Sequence, residues 1–383
     1  MGPTDPLFAV LAVCLALGLV RASRRWLPSP PSGGRAAAID GLRGYLALFV
    51  FLHHAAIWHG FLATGRWAAP PSRLFTHFGE SSVALFFMIS AFLFVRKLQD
   101  ARGGFGWGRF FLGRVLRLVP AYALAMGLMF VVVAAESGWV LHETKRAVAR
   151  EMAQWLAFSL AGYGNLNGFG GTHQVTAGVV WSLACEWHFY LALPLLGLAL
   201  GRRVGAAPCL LAAASIALAA WQQSHLQVLP AFAGGALAVP LARHAGVRRL
   251  AGGSAGVWLV LAGVAAAVRL FPTAYAPAPM LLLACAFTLV AAGCDLFSGL
   301  TSRVSRVLGE PTYSMYLLHG LLLFVATRWV ARWSPAAYCA LVLGLVPVVL
   351  GLAFASFRWV ETPALRLLPG LAGRLARTRP GTT

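Results

Sequence analysis

The strongest constraint on this chain is a repetition. Apolar stretches close to twenty residues long return along nearly its whole length, separated by short segments that carry most of its charge. About 20 consecutive apolar residues cross the hydrocarbon core of a bilayer as a helix. Lipid leaves every backbone hydrogen bond to be made internally, so only helices and closed barrels can span it. Stretches of this length select the helix. Spans are read at about 7–22, 39–60, 79–97, 109–134, 177–199, 205–222, 228–243, 254–270, 279–298, 308–330 and 336–358. The expected fold is therefore all-α: a polytopic transmembrane helix bundle of ten core spans plus one additional N-terminal span. Composition closes the soluble alternative, because 11% charged residues is under half of the roughly 25% of soluble domains. Residues 1–38 read as an N-terminal transmembrane segment with a linker at Pro28–Gly34, 39–366 as the main transmembrane domain, and 367–383 as a basic tail. The stretch 228–243 is interrupted by Gly234 and Gly235 and is expected to be tilted or irregular. Met152–Ala161 is too short to cross and reads as interfacial or re-entrant.

A formal net charge of +20 would suggest nucleic acid in a soluble protein. Here the basic residues sit at the ends of apolar segments: Arg21, Arg24 and Arg25; Arg96 and Lys97; Arg202 and Arg203; Arg243, Arg248 and Arg249; Arg303 and Arg306. Cytoplasmic loops look like this because positive loops resist translocation. No nucleic-acid partner is expected; the lipid bilayer is. Placing each cluster in the cytoplasm puts the N-terminus outside and the C-terminus inside, and the odd number of spans agrees. The first segment lacks a positive n-region and is followed by arginines, as in a reversed signal anchor. The six cysteines show no metal-type spacing, and neither a metal site nor a disulfide framework is expected.

An ionisable residue inside the bilayer costs at least about 2.5–3.5 kcal/mol and marks a candidate site. The second span opens on Asp40-Gly41-Leu42-Arg43 and reaches His53-His54 after an apolar run. Arg43 and His54 stand eleven residues apart, about three turns, which turns both to one face with His54 about 16 Å deeper. Ala47 and Val50 lie between them on that face. His53 is turned away by about 100°. Glu186 and His188 fall near the middle of another span, with Ser182 on the face of Glu186 at i,i+4. His319 lies halfway along a third. His54, Glu186 and His319 thus arrive at one depth from three spans. For His319, an interhelical hydrogen-bonding role stands equally beside a catalytic one. Arg114 and Arg117, at i,i+3 near the cytoplasmic start of their span, form a cationic fork suited to phosphate; plain positive-inside anchoring is the alternative. Ser90 lies mid-span among small residues, a setting typical of close helix packing.

Taken in order, Asp40-Gly-Leu-Arg43 with His54, Phe86-Phe-x-x-Ser90, the arginine-rich approach to Pro120, Trp181-Ser182-x-x-x-Glu186 with Phe189-Tyr190, Tyr313-Ser-x-Tyr-Leu-x-His319, and Val360-Glu361-Thr-Pro363 resemble the acyltransferase-3 family of membrane O-acyltransferases. The resemblance runs from about Asp40 to Arg366. It implies ten core spans in a bacterial inner membrane and an acyl-CoA donor, acetyl-CoA foremost, approached from the cytoplasm. The acceptor it implies is the hydroxyl of a carbohydrate or glycosylated molecule. It also implies an essential arginine and histidine, which fall on Arg43 and His54, and it matches Arg114, Arg117 and Glu186 to motif positions. Ala91 stands where the family usually has glycine, and the span 7–22 precedes the family core. The expected catalytic set is His54, Glu186 and Arg43, with the donor on Arg43, Arg114 and Arg117. Asp40, Ser90, Ser182, Tyr313 and His319 have secondary roles. His54 would act either as general base or as acyl carrier. The rival reading is a transporter or flippase of a lipid-linked sugar, using His54, Glu186 and His319 as a proton relay.

Overall fold

A computed structural model describes residues 1–23, 25, 37–101, 104–222, 226–328, 330 and 333–377. Arg24, the linker Pro28–Gly34 and the tail beyond residue 377 lie outside the described residues. Among the described residues the secondary structure is helical throughout, without a strand. The α-helices are α1 Pro6–Ala22, α2 Ala37–Thr64, α3 Arg73–Asp100, α4 Trp107–Glu136, α5 Lys145–Leu156, α6 Thr172–Val175, α7 Val180–Ala199, α8 Ala206–Gln222, α9 Leu229–Arg243, α10 Ala245–Ala251, α11 Ser254–Leu270, α12 Pro277–Ala292, α13 Arg303–Gly309, α14 Thr312–Thr327, α15 Pro335–Ser356, α16 Thr362–Arg366 and α17 Leu368–Arg377.

Each expected span falls on one of these helices, but their lengths differ from the reading. Among the described residues six helices are long and apolar enough to cross a membrane, or seven if α10 and α11, bent by 83°, count as one span. The other four, α1, α8, α12 and α14, are apolar helices of 16 or 17 residues. Helix length alone therefore does not give the count of ten plus one. Two of these boundaries moved for a clear reason. The span 279–298 ends as a helix at Ala292, because Gly293 takes a left-handed φ of 119°. Apolar Leu296 and Phe297 then continue the hydropathy in a left-handed turn. The span 308–330 is broken at Glu310–Pro311, which separates α13 from α14.

The stretch with Gly234 and Gly235 is a regular helix, against the expectation of irregularity. Its glycines serve contact: a Cβ on Gly235 would overlap the carbonyl oxygen of Met88 on α3. The piece 152–161 is the end of α5 followed by a turn with Phe158 and Ser159 at positive φ. α5 is amphipathic, exposing Lys145, Arg146 and Arg150 and burying Glu151 and Trp155, as an interfacial helix does.

The chain forms two compact units, Met1–Lys97 with His225–Leu352, and Leu98–Ser224 with Ala353–Thr383. In the first unit α2 is the central element, with almost every residue from Leu46 to Trp58 buried. At its start, a Cβ on Gly41 would overlap the carbonyl of Leu300, and one on Gly309 of α13 would overlap that of Asp40. Glycine at both places lets two backbones touch, and the Tyr45 hydroxyl bonds Ser305 Oγ at 2.7 Å beside them. Further along, Phe49 stacks on Phe78 of α3 with centroids 4.6 Å apart, and the Tyr338 hydroxyl of α15 donates to the Ala55 carbonyl at 2.8 Å. In the second unit α4 carries the packing: the Tyr122 hydroxyl donates to the Trp155 carbonyl at 2.5 Å, and Leu368 of α17 lies under Gly113.

Candidate active site

α2 runs without a break from Ala37 to Thr64, so the expected face of Arg43, Ala47, Val50 and His54 exists as one stripe. Ala47 and Val50 are both 0% exposed, which turns this stripe into the unit. At its deeper end the structure joins two of the expected residues: His54 Nδ1 lies 3.0 Å from Nε2 of His319 on α14. His54 Nδ1 also lies 3.0 Å from the Val50 carbonyl, and His319 Nδ1 lies 3.2 Å from the Met315 carbonyl.

These partners fix the protons of the neutral pair. A carbonyl only accepts, so His319 carries its hydrogen on Nδ1 and presents a lone pair at Nε2. His54 then donates from Nδ1, between the Val50 carbonyl and His319, and is left with a lone pair on Nε2. A proton added at that nitrogen breaks none of these bonds. A histidine whose tautomer is set by a second group is the arrangement that general bases use.

His53, adjacent in sequence, is spent on packing. Its Nδ1 donates to the Phe75 carbonyl at 2.7 Å, and its ring occupies the space a Cβ on Gly79 would need. Around the pair, Phe51 meets His319 edge-on at 6.5 Å and Tyr316 lies 6.0 Å from it. Phe86, from the motif that holds Ser90, contacts Tyr316 at 6.1 Å. Ser90 itself is half-buried on α3 and Tyr313 is buried on α14. Asp40 sits at the α2–α13 contact.

The expected residues of the second unit form their own arrangements. Arg117 Nη1 lies 3.0 Å from Oε2 of Glu361, whose side chain is 0% exposed, with Arg117 at 18%. Glu361 ends a wide π-type turn at Phe357–Glu361, and the Arg117 guanidinium lies 6.0 Å over the Phe357 ring. Arg114 lies 5.9 Å over the ring of Tyr190, and the Tyr190 hydroxyl donates to Glu186 Oε1 one turn back on α7. The arginine fork is thus divided: Arg117 is neutralised by a carboxylate, and Arg114 packs on the aromatic partner of Glu186. Ser182 shares the Glu186 face, yet its hydroxyl donates to the Val179 carbonyl at 2.9 Å. His188 bonds Ser215 of α8 at 2.8 Å. Outside the spans, burial raises the Glu151 carboxyl above its ordinary range, against the opposing N–H of Asn167 at 3.1 Å.

Two features escaped the sequence reading. Glu361 was visible only as a motif letter, and its partner is 244 positions away. Trp58 stands one turn beyond His54 on α2; the i,i+4 spacing was available as a signal. An apolar cavity of about 480 Å³ in the first unit is lined by Leu42, Phe49, Phe78, Val260 and Leu283. It touches another face of α2 than the histidine stripe; His77 of α3 lines it, and none of the candidate residues does.

The sequence model of a family described as an acyltransferase domain matches residues 36–355. The chain is also 27% identical, over 393 aligned residues, to a protein named Nodulation protein 10 from Rhizobium leguminosarum bv. viciae, covering 90% of this chain and 97% of that protein. No solved structure matches the chain.

Proposed function

The chain belongs to the acyltransferase-3 family of membrane acyltransferases, and from that premise we propose that it moves an acyl group, acetyl foremost, from a cytoplasmic acyl-CoA to a hydroxyl of a carbohydrate or glycosylated acceptor. The family decides between enzyme and transporter in favour of the enzyme. The observation that carries the residue assignment is the His54–His319 pair at 3.0 Å, with its free lone pair on His54 Nε2.

In this reading His54 Nε2 takes the proton of the acceptor hydroxyl as its oxygen attacks the thioester carbonyl. The tetrahedral intermediate collapses, the carbon–sulfur bond breaks, and the thiolate recovers the proton from the imidazolium. His319 holds His54 in the required tautomer. Arg43, about 16 Å back along the same stripe, is the cation for the donor's phosphates on the cytoplasmic side. Arg114 carries the same expectation within its own unit, Glu186 orients through Tyr190, and Arg117 is held by Glu361. The basic clusters support a bacterial inner-membrane setting with the N-terminus outside and the C-terminus in the cytoplasm.

The test uses purified full-length chain with acetyl-labelled acetyl-CoA and measures acyl transfer and thiol release. His54→Ala is expected to lose at least about a hundredfold in turnover while remaining inserted, and His53→Ala to retain measurable turnover. Full turnover in His54→Ala removes the assignment.

A further inference from the structure

Trp58 is only 4% exposed, and its indole Nε1 is buried without a hydrogen-bond acceptor among the described residues. An indole N–H donates only, and buried donors are nearly always paired. The contrast within the chain is direct, since Trp155 gives its N–H to the Gly164 carbonyl at 3.1 Å. Trp107 and Trp187 share the lack of an acceptor, but neither stands on a helix with a histidine of the pair.

The surroundings of Trp58 explain why no protein oxygen reaches it. Its ring is met by Phe61 at 5.5 Å, Trp67 at 5.1 Å and Phe324 at 5.7 Å, all near edge-on. Phe324 belongs to α14, the helix that carries His319, so the aromatic cluster and the histidine pair share both helices. On α2, Trp58 is four residues past His54, about 6 Å along the axis and 40° around it. Helical side chains lean toward the N-terminus, which is the His54 side of Trp58, and its ring partners Phe61, Trp67 and Phe324 close the other sides.

A donor kept dry and unpaired one turn from a base suits an oxygen that arrives with the substrate and gains charge during the reaction. We infer that the Trp58 indole N–H holds the acyl carbonyl oxygen during transfer, making Trp58 a catalytic residue of this chain. The inference rests on the assignment of His54 as base. When the acceptor oxygen attacks the thioester carbon, the carbonyl π pair moves onto its oxygen, and the indole N–H meets that oxyanion. When the pair returns, the carbon–sulfur bond breaks and the thiolate takes the proton from His54. Trp58 exchanges no proton at any stage.

The experiment measures thiol release from acetyl-CoA by purified full-length chain. One variant is Trp58→Phe. A second carries 3-benzothienylalanine at position 58, which keeps the indole shape and replaces the N–H by sulfur. Both are expected to lower kcat about a hundredfold, with KM for acetyl-CoA within about twofold and an unchanged shape of the pH–rate profile; the shape-preserving benzothienyl variant also keeps the parental thermal stability, which Trp58→Phe, with its smaller ring, does not. Phe324→Leu, which disturbs the cluster and keeps the donor, is expected to stay within about fivefold of the parent. A benzothienyl variant with parental kcat overturns the inference while leaving His54 in place. So does a loss of kcat matched by Phe324→Leu, which would mark a packing role. Turnover that survives His54→Ala instead overturns the assignment of the base, and the inference with it.

Discussion

One polar cluster from each unit, set side by side, shows two opposite ways of burying polar groups. In the first, the histidine cluster consists of two imidazoles and two backbone carbonyls, and with both rings neutral their hydrogens are distributed so that one nitrogen lone pair remains. In the second, charge faces charge: Arg117 meets Glu361, and Glu186 is bonded by Tyr190 beneath Arg114. An ion pair between two elements holds them in place, its charges already facing each other. A neutral chain with an unused lone pair can take a proton without losing a partner. On the proposed reading, the difference separates a group that can take a proton from groups that hold one another in place.

Several substitutions sharpen this contrast, and His54→Ala carries the largest effect. Turnover should fall by about two to four orders of magnitude with no change in membrane insertion, read by labelled transfer and by fractionation. The counterpart in the second unit is Glu361→Ala. It leaves the half-buried Arg117 cation without its carboxylate and should destabilise by up to about 3 kcal/mol, whereas the double replacement Arg117→Met with Glu361→Leu should come close to neutral. Denaturation in detergent reads both, and a single variant as stable as its parent would show that the ion pair does not hold the unit together. Next in size, Gly309→Ala pushes a methyl group into the Asp40 backbone and should cost about 1–3 kcal/mol, with a fall in activity because the start of α2 carries Arg43.

The smallest effect lies outside the spans. Burial raises the Glu151 pKa, so the folded state favours the protonated acid. Its contribution to stability is complete below the ordinary carboxylate range and is lost as pH rises through the raised value. Glu151→Gln should remove that dependence, read as proteolysis of the 164–172 loop against pH; an unchanged profile would assign the dependence to another group.

How far the sequence reached can be judged residue by residue. The stripe from Arg43 to His54 was legible because both residues belong to one helix, and helical period fixes their relative direction. That His53 turns off this stripe was legible on the same ground, and its Nδ1 meets the Phe75 carbonyl instead. That His54 bonds His319 was not, since the two lie 265 positions apart and equal depth does not make contact. Spacing put Arg114 and Arg117 on one face; that Arg117 pairs with Glu361 while Arg114 lies over the Tyr190 ring was not legible for the same reason. Helix ends were misjudged wherever apolar residues carried on past a left-handed turn, as at Leu296 and Phe297, because hydropathy does not register backbone conformation.

The sequence by itself determined that the chain is a helical membrane protein with its charges between apolar stretches, because hydrocarbon leaves backbone groups to pair internally and stretches of about twenty residues do so as helices. It also determined which side chains share a helical face. Only the tertiary structure decided which faces meet, and so which nitrogen of His54 keeps its lone pair, which arginine is neutralised and which indole is left without an acceptor. Those are pairings between residues far apart in the chain, and no local periodicity encodes them.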